Sequence, residues 1–260
     1  MDLQLTGKKV LITGASKGIG LSCARVFARE GALPVIVARS AEALAAAAKA
    51  LQGETGVLVR TIAADLSRPG SAARLAADAG DVDILVNNAG AIPGGSLEQI
   101  DEARWREAWE LKLFGYVNLM REVLPRLQAK KSGVIANVIG MAGASPKYDY
   151  ICGAAANAAL IAATRAAGGA SPKHGVRVFG VNPSATRTDR ILSLTKQRAQ
   201  TLLGDANRWE ELFQDLPFGR LKEPDEVANL VVFGCSPMAS YLSGTVIDLD
   251  GGQLFAPSKR

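Results

Sequence analysis

The stretch from Lys9 to Gly20 reads KVLITGASKGIG, an apolar run followed by a turn with three glycines. The first residues are typical of a buried strand, and the residues after the turn have helical periodicity. Glycine is needed where a chain turns sharply or where its backbone approaches a ligand closely. A strand that enters a helix through such a turn predicts a phosphate site, because the first N–H groups of the helix are unpaired.

Short apolar runs alternate with amphipathic stretches along the rest of the chain. The strand-like runs are Lys9 to Ile12, Leu33 to Ala38, Val57 to Ala63, Ile84 to Asn87, Val134 to Val138, Arg177 to Val181 and Thr245 to Leu249. The helical patterns are Ile19 to Glu30, Ala41 to Leu51, Ser71 to Ala79, Asp101 to Gln128, Tyr150 to Gly168 and Pro224 to Phe233. This alternation predicts an α/β fold, with a doubly wound, Rossmann-like parallel sheet of about seven strands.

A polar stretch at residues 187–218 interrupts the alternation before the last predicted helix. No linker or internal repeat divides the chain, so residues 1–260 are predicted to be a single domain. Loops at the carboxyl ends of the strands build the site in open α/β sheets. We therefore expect 187–218 to be a helical insertion that acts as a lid over a substrate.

The composition argues against several classes of protein. The net charge is +5, but the basic residues occur in short clusters without aromatic neighbours, so no nucleic-acid partner is predicted. One histidine and three widely spaced cysteines predict no metal site and no histidine-based catalysis. We found no leader and no apolar run of the length of a membrane span, which predicts a cytoplasmic protein without a membrane partner.

The end of the second predicted strand indicates which dinucleotide would bind. A site for NAD(H) usually has a carboxylate here, which accepts a hydrogen bond from the ribose 2′-hydroxyl. This sequence has Ala38 and Arg39 instead, and Lys17 lies in the glycine turn. Either cation alone is also typical of an ordinary surface charge. Together, with the acid missing, they predict NADP(H) as the preferred cofactor and NAD(H) as the alternative.

Five segments give the chain a resemblance to the short-chain dehydrogenase/reductase family over nearly its whole length. They are Thr13 to Gly20 (the glycine motif), Asp65-Leu66, the NNAG motif Asn87 to Gly90, Asn182 to Thr188 (with Ser184 in place of a family glycine) and the DGG motif Asp250 to Gly252. The resemblance implies a hydride transfer between the nicotinamide and a small-molecule carbonyl or alcohol, in a homodimer or homotetramer. The residues expected to bind the cofactor are Gly14, Ser16, Lys17, Gly18, Ile19, Gly20, Arg39, Asp65, Leu66, Asn88, Ala89, Gly90, Pro183, Thr186 and Thr188.

The four positions that carry acid–base chemistry in this family have other residues here. The resemblance places Gly140 at the family serine, Gly153 at the tyrosine, Asn157 at the lysine and Lys112 at the asparagine. In the family the tyrosine exchanges a proton with the substrate oxygen, the lysine lowers the pKa of the tyrosine, and the serine positions that oxygen. Two hypotheses account for the departures.

In the first hypothesis the protein is an enzyme with a rewired site. Tyr150 lies one helical turn before Gly153 and would act as the acid, and Lys112 would bring an ammonium from the adjacent helix. Helical side chains lean toward the N-terminus, which predicts that Tyr150 points away from Gly153. Tyr148 and Lys147 are further candidates. Each of these residues is equally typical of a surface aromatic or a helix-face charge.

In the second hypothesis the protein has lost the chemistry and binds NADP(H) as a sensor or as a structural subunit. The pair Gly140 and Gly153 favours this hypothesis, because side chains are absent where a positioning group and an acid are expected. The intact cofactor motifs favour the first. On balance the sequence predicts an active oxidoreductase with Tyr150 and Lys112 as its catalytic residues.

Overall fold

A seven-stranded parallel β-sheet lies between two layers of helices in the computed structural model, which describes residues 1–213 and 216–256. The strands are β1 (Lys9–Thr13), β2 (Leu33–Ala38), β3 (Arg60–Ala63), β4 (Ile84–Asn87), β5 (Gly133–Val138), β6 (Val176–Pro183) and β7 (Val246–Leu249). Their order is β3-β2-β1-β4-β5-β6-β7, so the direction of winding reverses between β1 and β4. The predicted α/β fold with a doubly wound sheet of seven strands is confirmed.

The helices pack through three apolar clusters, two of which cover opposite faces of the sheet. The helices are α1 (Gly18–Arg29), α2 (Ala41–Thr55), α3 (Ser71–Ala79), α4 (Glu102–Trp109), α5 (Gly115–Ala129), α6 (Ile151–Ala170), α7 (Asp189–Leu203) and α8 (Pro224–Cys235). One cluster joins α1, α2 and α8 to the sheet. The second joins α3 and α5, with part of α6, to the opposite face. The third joins α6 to α4 and to the π-helical segment at Glu110–Phe114. Both faces of the central strands are therefore buried, which explains their continuous apolar sequences.

Two predicted elements differ from the observed ones near the centre of the molecule. The stretch predicted as one helix is divided into α4, a π-helical segment at Glu110–Phe114 and α5. Tyr150, predicted to lie inside a helix, is instead the residue before α6, with φ −141° and ψ 31°. The backbone at Tyr150 forms a parallel bridge with Gly95, a tertiary contact that local periodicity does not reveal.

Helix α6 corrects the expectation that no apolar run has the length of a membrane span. By length and composition its 20 residues are sufficient to cross a membrane. In the fold, however, 44% of the 18-residue window is buried, and the buried positions pack on the sheet and on neighbouring helices. A core helix has the same composition as a spanning helix when it is rich in alanine and covered by protein.

The contact between α6 and β6 depends on Gly168. A Cβ atom at Gly168 would lie 2.2 Å from Val178 O and 2.3 Å from Gly244 N, both of which are backbone atoms. The next residue, Gly169, has no atom within 4 Å of its Cβ position. Of these two adjacent glycines, only Gly168 is required for packing.

We expect Gly168→Ala to lower the free energy of unfolding by about 1–3 kcal/mol or more, because backbone must move to admit a methyl group. Gly169→Ala is the matched control and should raise it by up to about 1 kcal/mol, since alanine is the better helix former. Urea unfolding followed by circular dichroism measures both values. Equal effects of the two substitutions would contradict the packing described for α6.

Candidate functional site

The predicted site residues gather at the carboxyl edge of the sheet, where β1 and β4 diverge. Gly14 to Gly20 follow β1, Arg39 follows β2, Asp65 and Leu66 follow β3, Asn88 to Gly90 follow β4, and Pro183, Thr186 and Thr188 lie at or after the end of β6. Tyr150 lies between β5 and α6, and Lys112 lies in the π-helical segment. This is the position at which ligands bind in open α/β sheets.

The glycine turn is bound to the end of β4 by a set of hydrogen bonds. Asn88 Nδ2 donates to Thr13 O at 3.0 Å and to Gly14 O at 3.1 Å. Thr13 Oγ1 accepts from the backbone N–H groups of Asn88 at 2.9 Å and Ala89 at 3.1 Å. A Cβ atom at Gly20 would lie 2.4 Å from Gly14 O, so this glycine is required by the close approach of the helix to the turn.

The first turn of α1 has the features of an anion site. Its N-cap residue, Lys17, makes no side-chain capping bond, and the first turn contains no acidic residue. The unpaired N–H groups of Gly18, Ile19 and Gly20 carry the partial positive charge of the helix. Ser16 and Ile19 are half-buried in the same turn. A diphosphate fits this set of donors.

The segment predicted to be a lid, residues 187–218, begins against the glycine turn. Lys17 Nζ lies 3.4 Å from Asp189 Oδ2, and both side chains are largely exposed. A Cβ atom at Gly18 would lie 3.2 Å from Thr188 Cγ2. The segment is helical, with α7 followed by a 3₁₀ segment at Ala206–Phe213, and its residues 214 and 215 lie outside the described residues.

Arg39 and Asp65 lie near each other at the ends of β2 and β3. Hydrogen bonding to Ser67 lowers the pKa of Asp65, with smaller contributions from Arg68 and Arg39. Asp65 Oδ1 accepts from Ser67 Oγ at 2.6 Å, so this carboxylate is bound within its own turn. The side chain of Arg39 is exposed and makes no ion pair within residues 1–213 and 216–256. Leu66 is buried beneath them.

The segment after β6 is in contact with a lysine that was not predicted from the sequence. Lys222 Nζ donates to Ser184 Oγ at 2.9 Å, and the backbone N–H of Arg187 donates to Lys222 O at 2.7 Å. Burial lowers the pKa of Lys222 to about 8. Lys222 is far from Ser184 in sequence and belongs to none of the recognised motifs, so only the fold brings the two together.

Lys112 is buried at the end of β5. Its Nζ donates to Val138 O at 3.0 Å, to Ile139 O at 3.1 Å and to Tyr116 Oη at 3.1 Å. These acceptors match the three N–H groups of an ammonium. The aliphatic part of Lys112 packs on Gly90, where a Cβ atom would lie 2.7 Å from Lys112 Cδ. The ammonium is therefore held beneath the carboxyl edge, next to the peptide that leads into Gly140.

The ring of Tyr150 occupies the place of the missing side chain at Gly153. A Cβ atom at Gly153 would lie 2.1 Å from Tyr150 Cε1 and 2.3 Å from Tyr150 Cζ. The expectation that Tyr150 points away from Gly153 is wrong, because Tyr150 precedes the helix and its backbone is not helical. The space beside Gly153 is thus filled by the phenol ring of a residue three positions earlier in the chain.

The amide of Asn157 fills the space beside Gly140, as the ring of Tyr150 fills the space beside Gly153. Gly140 has φ 133°, and a Cβ atom there would lie 3.0 Å from Asn157 Nδ2. Asn157 is 4% exposed, and its Nδ2 donates to Gly140 O at 3.4 Å. Asn157 Oδ1 is buried and has no hydrogen-bond partner among the described residues. Asn157 was not predicted to be a site residue, because the family resemblance places it only where a lysine is expected.

Tyr148, the further candidate, is exposed on the loop that precedes α6. Its hydroxyl donates to the carboxylate of Glu98, which raises the pKa of Tyr148 above its usual value.

Within residues 1–213 and 216–256, no group of three histidine, cysteine, aspartate or glutamate side chains could hold a metal ion.

The overlap of Tyr150 with Gly153 makes these two positions energetically coupled. We expect Gly153→Ala to be strongly destabilising in the natural sequence, because the new methyl group meets the Tyr150 ring. In a Tyr150→Ala background the same change should cost less, with a coupling free energy of about 1–3 kcal/mol. A double-mutant cycle from urea unfolding measures this coupling, and additive costs would contradict the contact.

Comparison with known proteins agrees with this geometry. The family model described as short chain dehydrogenase matches residues 8–199. The 7alpha-hydroxysteroid dehydrogenase of Escherichia coli (strain K12) is 32% identical over 257 residues, which cover 96% of each chain. The FabG 3-oxoacyl-[acyl-carrier-protein] reductase of Vibrio cholerae is 34% identical over 258 residues, which cover 96% of this chain and 98% of the reductase.

A solved structure extends the similarity to three dimensions. The L-sorbose reductase from Gluconobacter frateurii, complexed with NADPH and L-sorbose, is 31% identical and has a TM-score of 0.92. The match covers 99% of this chain and 100% of the reductase. With this fold, the glycine turn and a family match over most of its length, the protein belongs to the short-chain dehydrogenase/reductase family of NAD(P)-dependent oxidoreductases.

Proposed function

We propose that the protein transfers a hydride between NADP(H) and a carbonyl or secondary alcohol of a small molecule, with a non-standard active site. The observation that carries the proposal is the ring of Tyr150 in the space left by Gly153. The family's tyrosine position is thereby covered by a phenol, although the residue at that position is glycine.

Cofactor binding is the first part of the proposal. The uncapped first turn of α1 would receive the diphosphate, with Asn88 holding the glycine turn in shape. Arg39 offers a planar donor fork to a 2′-phosphate. Lys17 is a second cation, and its exposed pair with Asp189 contributes little to stability, so a phosphate can replace the carboxylate. The sorbose reductase with the same fold binds NADPH.

Acid–base chemistry is the second part. When bound, NADPH supplies the hydride that reduces the carbonyl carbon. The carbonyl oxygen must gain a proton at the same time, because a free alkoxide is too basic to form at neutral pH. The hydroxyl of Tyr150 would donate this proton. The buried ammonium of Lys112 would stabilise the negative charge that Tyr150 carries after it donates the proton, because the local dielectric is low. Lys112 would thereby take the role of the family lysine.

The alternative is an NADP(H)-binding protein with impaired catalysis that acts as a sensor or structural subunit. It is favoured by the loss of the standard residue at all four family positions, including Gly140 and Gly153. The two proposals share the cofactor site and differ in whether the carbonyl receives a proton. We favour the enzyme because polar side chains, and not apolar ones, fill the spaces above both glycines.

The remaining features of the proposal follow from sequence patterns and composition, and the oligomeric state follows from the family resemblance. Residues 187–218 would close over a small-molecule substrate as a lid within the single domain 1–260. The protein would work in the cytoplasm as a homodimer or homotetramer, without a nucleic acid or a membrane as partner.

Cofactor preference is expected to reverse in Arg39→Asp. The guanidinium pairs with a 2′-phosphate, whereas a carboxylate repels the phosphate and accepts from a ribose hydroxyl. The affinity for NADPH should fall by about tenfold or more, in line with the loss of a charged hydrogen bond, and that for NADH should rise. Tryptophan fluorescence titration measures both, with Arg121→Asp as the control. Tighter binding of NADH by the unmodified protein would refute the assignment.

Tyr150→Phe tests the enzymatic proposal itself. Removing the proton donor should lower kcat/KM for ketone reduction by about 10²-fold or more, while the affinity for NADPH stays the same. The assay follows NADPH absorbance with L-sorbose, cyclohexanone and a 3-oxoacyl thioester, and the exposed Tyr241→Phe is the control. A protein that binds NADPH and reduces none of these ketones would support the sensor alternative.

A further inference from the structure

Two glycines in the candidate site are each covered by a polar side chain from the neighbourhood of α6. Tyr150 covers Gly153, as described above. Asn157 covers Gly140, with its Nδ2 atom 3.0 Å from the position that a Cβ atom of residue 140 would take. A serine hydroxyl at residue 140 would extend one bond beyond that position. The amide nitrogen of Asn157 therefore lies close to where the family's substrate-positioning hydroxyl would be.

The hydrogen bonds of Asn157 leave part of its amide unused. The bond from Nδ2 to Gly140 O is 3.4 Å long, beyond the usual range, and engages only one of the two N–H groups. Oδ1 is buried without a partner among the described residues. A buried acceptor of this kind is unfavourable unless a bound group or water supplies a donor. Both ends of the amide thus have capacity for a ligand.

We propose that Asn157 binds an α-hydroxy carbonyl substrate through both atoms of its amide. The Nδ2–H group donates to the reacting carbonyl oxygen, and Oδ1 accepts from the hydroxyl on the adjacent carbon. The two groups of an α-hydroxy ketone lie side by side, as do the donor and acceptor of a carboxamide, so one plane serves both bonds. The assignment rests on the proposed function and adds the substrate class to it.

The surroundings of the amide are consistent with this role. The position of the missing Cβ of Gly140 is also 4.0 Å from Pro183 O, in the segment that lines the nicotinamide in the family. The N–H of Gly140 donates to Asn182 Oδ1 at 3.4 Å, which is also a long bond, so Asn182 lies close to the same peptide. The amide therefore lies between the end of β5 and the end of β6, where a substrate carbonyl would approach the nicotinamide.

A matched pair of ketones tests the proposal with NADPH as the reductant. 2-Hydroxycyclohexanone and cyclohexanone differ only in the hydroxyl that Oδ1 is proposed to bind. The unmodified protein should prefer the hydroxyketone by about tenfold or more in kcat/KM, because a site built around a hydroxyl discriminates against its absence. Equal kcat/KM values for the two ketones would overturn the assignment.

Two substitutions separate the roles of the two amide atoms. Asn157→Asp keeps an acceptor and loses the donor, so turnover of both ketones should fall while the preference for the hydroxyketone remains. Asn157→Leu removes both groups, so turnover should fall and the preference should disappear. Asn229→Asp and Asn229→Leu, on the exposed face of α8, are the controls.

Cofactor titration identifies which molecule carries the hydroxyl. A nicotinamide ribose could also donate to Oδ1, and in that case Asn157→Leu would weaken NADPH binding and leave the ketone preference intact. That result would overturn the substrate assignment. The proposal requires unchanged affinity for NADPH in both Asn157 variants.

The proposal remains testable if the protein reduces neither ketone, an outcome that would favour the sensor alternative. The side-chain NH₂ signal of Asn157 in a ¹⁵N–¹H NMR spectrum is identified by its absence in Asn157→Asp. In the complex with NADP⁺ this signal should move when 2-hydroxycyclohexanone is added, and the shift does not require oxidation of its hydroxyl. A signal that stays in place would overturn the proposal by itself.

Discussion

The attachment of the glycine turn to the end of β4 is the interaction on which the rest of the structure depends. Asn88 binds two carbonyl groups of the β1–α1 turn, and Thr13 Oγ1 accepts two N–H groups in return. These bonds fix the gap between β1 and β4, where the winding of the sheet reverses. The first turn of α1 is held there with its N–H groups unpaired, which makes the proposed diphosphate site a consequence of the fold.

In the second half of the site, side chains from other positions lie beside two glycines. Gly153 and Gly140 have no side chains of their own, and the ring of Tyr150 and the amide of Asn157 fill the two spaces. Lys112 adds a buried cation from the π-helical segment, a type of distortion that is frequent at functional sites. A phenol, an amide and an ammonium thus lie near the end of β5 and the start of α6.

The buried ammonium of Lys112 illustrates the energetic constraint on such an arrangement. Transfer of an ion into the protein interior costs several kcal/mol unless hydrogen bonds compensate for the lost water. Three acceptors, on Val138, Ile139 and Tyr116, receive the N–H groups of Lys112. Burial also raises the pKa of Tyr116, so its hydroxyl remains neutral and can accept one of these bonds. A lysine is tolerated at this position because the end of β5 and Tyr116 of α5 supply the acceptors.

The sequence by itself determined the sheet, its seven strands and the glycine turn, because these depend on periodicity and on backbone properties of single residues. It also identified the family. Only the tertiary structure decided where the side chains of Tyr150 and Asn157 lie and that Lys222 meets Ser184. These contacts join residues from different elements, and their geometry depends on backbone angles and packing that no local pattern encodes. For that reason Tyr150 was predicted to point away from the glycine that its ring covers.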